Sequence, residues 1–310
     1  MSTAFIKAVL NFFPTSKVDL IVKSGFEDLP LPHRGEILPF DKLKTNAYLY
    51  GKSLSGLKCD RIYVLPPSFS SALMAYSAKI PDRIGYKGGF RGLLLNKNKS
   101  YNQKPRSQHL IQEYLQLLDD YQGKNHYYPE LKVNQNWISE HLGEIEPELP
   151  KSYISVAPGA IYGPAKQWPA SHFRELISML AKENINVVII GTQADASIGE
   201  FLSDGFKNAI NLCGKTSLNQ LIAVLANSRL LVSNDSGTMH IMAALQKPQI
   251  AIFGSTSTIW TGPLNKYADV IKKPIDCSPC FKRECRFGHY NCLKLIDPKC
   301  VFDKIRLLLK

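Results

Sequence analysis

From residue 151 onward, short apolar runs alternate with longer stretches of helical period. Runs at 153–157, 186–190, 209–212, 229–233 and 249–253 read as strands, and the segments 171–182, 195–202, 217–227 and 236–245 between them read as helices. Short, mostly apolar strands joined by helices predict a parallel sheet covered on both faces. The first half is less regular. Phe5, Val9 and Phe12 lie at helical spacing in an amphipathic helix over 2–13 that Pro14 ends. Residues 18–22 and 60–65 are β-type runs, Pro66-Pro67 turns into a helix over 68–74, and a further helix is predicted over 107–120. Polar, proline-bearing sequence over 122–150 reads as a linker. An α/β protein of two lobes, 1–150 and 151–310, is therefore expected, which suits 310 residues.

Composition narrows the class. The chain is 45% hydrophobic and 21% charged, and no apolar run approaches the roughly 18 residues of a membrane span. Its opening residues lack the basic and apolar regions of a secretory signal, so a cytoplasmic protein is expected. A net charge of +12 points to an anionic partner. Between Lys79 and Arg106 eight cations (Lys79, Arg83, Lys87, Arg91, Lys97, Lys99, Lys104, Arg106) face one acid, Asp82, with Tyr86, Phe90 and Tyr101 interleaved. That stretch is either a solvated face or a surface for an anionic acceptor.

Ligands of an open parallel sheet sit beyond the carboxyl ends of its strands. Two of the loops there carry chemistry. The loop 157–169 holds Gly159, Ala160 and Gly163, stiffening prolines and one cation, Lys166, before Trp168; Gly191 follows the next strand. The second loop, Asn234-Asp235-Ser236-Gly237, opens a helix that carries His240. Backbone N–H groups at a helix start favour an anion, so Ser236 and Gly237 suit a diphosphate. Asp235 would repel that anion and should face hydroxyl groups, which suggests a sugar. Ordinary helix capping by Asp235 and Ser236, a packed His240 and a core Trp168 are the plainer alternatives. With no Asp-x-Asp pair in the chain to hold a divalent ion on a diphosphate, metal-independent chemistry is expected.

"PGAIYGPAKQWP" and "NDSGTMHIMAAL", with "DRIYVLPPSFSSAL" and "IPDRIGYKGGFR", resemble the ADP-heptose:lipopolysaccharide heptosyltransferases of glycosyltransferase family 9, and the likeness spans nearly the whole chain. The resemblance implies a GT-B architecture, two Rossmann-like lobes facing a cleft, the second binding ADP-heptose and the first the lipopolysaccharide inner core. It implies an inverting transfer without cofactor at the cytoplasmic face of the inner membrane, with peripheral membrane contact. By motif match, Lys166 meets the diphosphate and Asp235 the donor heptose, both as catalytic residues. Gly159, Ala160, Gly163, Trp168, Gly191, Ser236, Gly237 and His240 complete the donor site, and Arg83, Lys87 and Arg91 meet the acceptor's Kdo carboxylates and phosphates. In the family an Asp in a Gly-Asp turn, just before a helix that Met1-Ser2-Thr3-Ala4 resembles, is the general base. That base is therefore expected upstream of Met1, absent from this chain, with His33, Glu27 and Glu36 as weak substitutes.

Cys277, Cys280, Cys285 and Cys292, near His289 and Cys300, have the spacing C-x2-C-x4-C-x6-C. It is compatible with a structural zinc, and also with reduced thiols or a local disulfide. Two other readings compete with the enzyme. A degenerate or truncated member would bind ADP-sugar without a catalytic base. A nucleic-acid binder would need a basic stripe and no donor pocket, and the two loops argue against it.

Overall fold

The computed structural model describes residues 1–101, 106–119, 121–123 and 127–309. Lys104, one of the eight cations of the basic stretch, lies outside them, as does the last residue of the helix predicted over 107–120. The chain divides into two units, Met1–Tyr127 and Tyr128–Lys310.

The first unit opens with α1 (Ser2–Phe12); of the predicted apolar stripe Phe5 and Val9 are buried, with Ala8 beside them, and Phe12 is half-buried. Its strands are short and parallel. β1 (Leu20–Lys23) pairs with β2 (Ile37–Phe40). After α2 (Ala47–Ser53), β3 (Arg61–Val64), α3 (Phe69–Ser77), β4 (Asp82–Tyr86) and β5 (Lys97–Lys99) form a three-stranded sheet in the order β3-β4-β5. Polar caps set the helix starts, since the side chains of Asn46 and Ser68 accept from Leu49 N and Ser71 N. The helix predicted over 107–120 contracts to α4 (Leu110–Leu115), because His109 is extended and caps Ile111 N with its ring.

The second unit begins earlier than expected. Within the predicted linker, Asn134 caps α5 (Gln135–Gly143), and Ile138 packs on Ala223 and Ala226. Ile145 joins Tyr153 and Val224 in the core. The chain then alternates through β6 (Ile154–Ala157), α6 (Ala170–Lys182), β7 (Val187–Ile189), α7 (Ala196–Ser203), β8 (Ala209–Asn211), α8 (Leu218–Asn227), β9 (Leu231–Asn234), α9 (Gly237–Ala244) and β10 (Gln249–Phe253). Every strand and helix predicted here is present to within about two residues. A short helix, α10 (Thr258–Thr261), an edge strand, β11 (Ala268–Lys272), then α11 (Asn291–Lys294) and α12 (Pro298–Leu308) follow.

The six parallel strands run in the order β11-β10-β9-β6-β7-β8. The order reverses between β6 and β9, the topological switch point of a doubly wound sheet. All residues of β6, β7, β9 and β10 are buried, as a sheet covered on both faces requires. Phe173, Leu176, Ile177 and Leu180 of α6 form one layer with Val301 and Ile305 of α12, and Val224 and Leu225 of α8 with Met242 of α9 form the other. Both loops singled out in the sequence leave the sheet at the switch point.

Candidate active site

The site grows from the last residue of β9. Asn234 is fully buried; its Oδ1 accepts from Trp168 N (3.0 Å) and its Nδ2 donates to Pro158 O (2.6 Å). One side chain thus ties both ends of the 158–168 loop to the sheet. Trp168 locks the far end: its Nε1 donates to Ile296 O (3.0 Å), and its ring stands edge-on to Phe173. At 2% exposure it anchors the loop, the plainer of the two readings of Trp168.

Within that loop Lys166 points back to Asp235. Lys166 Nζ lies 2.6 Å from Asp235 Oδ2, with the two side chains 12% and 3% exposed. Thr256 Oγ1, after β10, donates to the same oxygen at 2.5 Å. Lys166 also sits over the Tyr162 ring (4.7 Å), whose hydroxyl donates to Phe281 O (2.7 Å). A lone charge at this depth would be strongly unfavourable, and here each side chain has the other as its partner. Asp235 Oδ1 makes neither of these bonds.

Beside the pair, α9 begins at Gly237 with Ser236 as N-cap. The Ser236 hydroxyl engages Thr238 Oγ1 (2.7 Å) instead of capping the helix. Gly237 is exposed, and a Cβ there would meet nothing within 4 Å, so the helix start is open to a ligand. His240 lies one turn into α9, half-buried.

The other glycines have different neighbours from those expected. A Cβ on Gly159 would lie 2.4 Å from Asp195 Oδ1, and one on Gly191 2.8 Å from Asp195 Cβ. Both leave room for Asp195, whose carboxylate accepts from Thr192 N (2.8 Å). Gly163, at φ +139°, lies against the carbonyl of Arg283. Only glycine suits that backbone so close to another chain segment. Ala160 is buried in the same loop.

In the first unit the expected acceptor residues separate. Arg91 is 4% exposed, its Nη1 donating to Tyr86 O (2.8 Å) and its Nη2 to Pro66 O (3.0 Å). Arg83 donates to Leu94 O (2.8 Å) and Ile80 O (2.6 Å). Both guanidinium groups hold turns together, which corrects their reading as acceptor contacts, whereas Lys87 is exposed. Of the other cations, Lys97 pairs with Asp82 (2.7 Å) and Lys99 with Asp119 (2.9 Å). The substitute bases are locally engaged: Glu36 with Lys17 (2.6 Å), Glu27 with Gly25 N (2.5 Å), and His33 Nδ1 with Leu31 O (2.9 Å).

The cysteines are free. Cys277, Cys280, Cys285, Cys292 and His289 line one small cavity with Ser255 and Ala165. Among the described residues, no three His, Cys, Asp or Glu side chains stand ready to hold a metal ion. A larger cavity of ≈ 250 Å³ is lined by Pro158, Gln167, Trp168, Ile198, Tyr290 and Lys294. Neither Lys166 nor Asp235 lines it.

Sequence reasoning missed Asn234, Thr256, Tyr162 and Asp195. The signal for Asn234 was present: a polar residue closing an apolar strand must find partners when buried. Thr256 offered none, because its role depends on the β9-β10 pairing.

A doubly wound sheet whose switch point presents a helix start and a buried cation suits a phosphate-bearing ligand. With two α/β units and matching solved structures, it defines a glycosyltransferase of the GT-B class. The chain belongs to glycosyltransferase family 9 (heptosyltransferase), whose sequence model matches residues 48–291. It is 32% identical over 273 residues to lipopolysaccharide heptosyltransferase 2 of Escherichia coli (strain K12), covering 84% of this chain and 78% of that one. It is 31% identical over 339 residues to lipooligosaccharide heptosyltransferase 2 of Haemophilus ducreyi, covering 100% and 95%. The solved structure of E. coli ADP-heptose lps heptosyltransferase II superposes with a TM-score of 0.85 at 28% identity, covering 99% of this chain and 94% of that one. These relatives agree with the motif resemblance and give no support to a degenerate member.

Breaking the buried pair should be costly in itself. Lys166→Met is expected to destabilise the protein by about 3–5 kcal/mol, because Asp235 stays buried without its cation. The double change Lys166→Met/Asp235→Asn should recover most of that loss in chemical denaturation. A double variant as unstable as the single one would contradict the pairing.

Proposed function

We propose that the protein transfers heptose from ADP-heptose to a lipopolysaccharide inner-core saccharide, inverting the anomeric centre without a catalytic metal. The observation that carries this reading is the buried Lys166–Asp235 pair beside the open start of α9. The similar E. coli enzyme carries ADP-heptose in its name, which supports the donor assignment. An acceptor hydroxyl oxygen attacks the anomeric carbon while the bond to ADP breaks, and ADP leaves with the electron pair. The leaving diphosphate gathers negative charge, which the Lys166 ammonium and the N–H groups at Ser236 and Gly237 offset. Asp235 faces the heptose through Oδ1 and stabilises the cationic character of the sugar ring. The acceptor proton passes to a general base; Asp235 is not that base, because Lys166 and Thr256 hold its carboxylate.

A cytoplasmic location with peripheral contact to the inner membrane belongs to the same proposal. Among the described residues no helix is long and apolar enough to cross a membrane. Phe90 and Leu93 are 81% and 83% exposed on one short turn, which the buried Arg91 pins from beneath, and Lys87 adjoins it. Such a rigid apolar tip beside a cation suits an anionic lipid surface.

Purified protein given ADP-heptose and a heptose-terminated inner-core acceptor should release ADP and extend the acceptor by one heptose. Asp235→Asn should lower kcat by roughly 10²-fold, as loss of one transition-state contact does, while still binding ADP. No transfer by the unsubstituted protein, or an Asp235→Asn variant with full turnover, would refute the reading. Separately, Phe90→Ser/Leu93→Ser should reduce co-sedimentation with phosphatidylglycerol vesicles and leave ADP affinity unchanged. Unaltered sedimentation would remove the membrane contact from the proposal.

A further inference from the structure

Residues 273–290 form neither helix nor strand, a long stretch for a well-packed domain. Yet this segment braces the proposed donor site. Phe281 O accepts from Tyr162 Oη (2.7 Å), Arg283 O from Ala165 N (3.0 Å), and Ser255 O from Phe281 N (2.7 Å). Ser278 Oγ donates to Gly254 O (2.7 Å), and the Arg283 guanidinium covers the Tyr162 ring at 5.4 Å. These bonds reach the loop of Lys166 on one side and that of Thr256 on the other. An irregular segment that must hold two loops in place gains from an internal tie, because its apolar side chains secure it only in part: Ile275 packs on the core, whereas Phe287 is 58% exposed.

The cysteines converge where such a tie would act. Four of the chain's seven thiols, Cys277, Cys280, Cys285 and Cys292, line the same cavity of ≈ 20 Å³, about the room of a single water or ion. The same cavity is lined by Ser255, 1% exposed, whose hydroxyl has no hydrogen-bond partner. Buried hydroxyls rarely stay unpaired, so this one marks a position for a polar or charged occupant. His289 contributes less, because its Nδ1 accepts from Asn291 N (3.0 Å). Four soft sulfurs with a C-x2-C start select a thiophilic ion over a hard one.

We propose that Cys277, Cys280, Cys285 and Cys292 together bind one thiophilic divalent metal ion, zinc foremost, which clamps the segment against the Lys166 and Thr256 loops. The thiols line the cavity without standing at ligating positions, so binding requires their side chains to rotate onto a common point. Each sulfur that ligates gives up its proton to solvent, so uptake releases protons and strengthens as pH rises. The role as a clamp rests on the donor reading above; the metal site itself does not.

The full-length protein, purified without chelator from zinc-supplemented cells, should carry about one zinc per chain by mass spectrometry of the metal. Cobalt in its place should give intense visible bands of tetrahedral thiolate coordination. Cys280→Ser and Cys292→Ser should each lose the metal, while Cys59→Ser and Cys300→Ser, outside the cluster, should keep it. If the cluster variants fail to fold, chelation of the unsubstituted protein followed by alkylation is the alternative, and four further thiols should become reactive. Iron bound in the same ratio would uphold the site. Protein without bound metal, disulfides among these cysteines, or a Cys280→Ser variant with full zinc would overturn it. Zinc removal should also weaken ADP binding roughly tenfold, as for one lost charge-assisted hydrogen bond. Zinc bound and lost as described with ADP affinity unchanged would overturn the clamp.

Discussion

A lysine and an aspartate buried against each other at 2.6 Å set the terms for the rest of the second unit. Neither charge is tolerable there alone, so the surrounding elements must hold both side chains to within a fraction of an ångström. Lys166 comes from the loop after β6 and Asp235 from the end of β9. Those two strands are adjacent only because the sheet reverses its order between them. Thr256 adds a third strand end, and Asn234 closes the arrangement by binding both ends of the lysine loop. The topology and the charge pair therefore require each other.

This dependence explains how the site can be both buried and receptive. The pair satisfies itself in the folded protein, so Lys166 is held in position before any ligand arrives. A diphosphate at the start of α9 would meet a cation already oriented and backbone N–H groups already aligned, with little reorganisation at the moment of reaction. In the proposed reaction stability and chemistry draw on the same residues, and for that reason a single substitution at Lys166 confounds the two while the paired substitution separates them.

The second unit was largely legible in the sequence because a covered parallel sheet writes itself as apolar runs with glycine- and proline-marked ends. The strand over 249–253 was found to the residue, and Lys166 and Asp235, taken from two separate loops, lie 2.6 Å apart. Elements whose apolar residues are diluted by polar ones were lost. Helix α5 hid in a supposed linker because only Trp137, Ile138 and Leu142 betray its buried face. Charge also misled: Arg83 and Arg91 looked like ligands for an anion, yet their long side chains fold inward to carbonyls, which a list of cations does not reveal. Asn234 and Thr256 escaped for a third reason, since their roles exist only once separate strands are set side by side.

The central claim is that the buried pair serves the diphosphate of the donor and not the fold alone. Calorimetric titration of ADP and of AMP into the unsubstituted protein and into the stable Lys166→Met/Asp235→Asn variant tests it most directly. The account predicts that the double variant loses ADP affinity by tenfold or more, about 1.4 kcal/mol, while the weaker affinity for AMP changes little, because the β-phosphate is the group that Lys166 meets. Equal affinities of the two proteins for ADP would contradict it and reduce the pair to a structural tie.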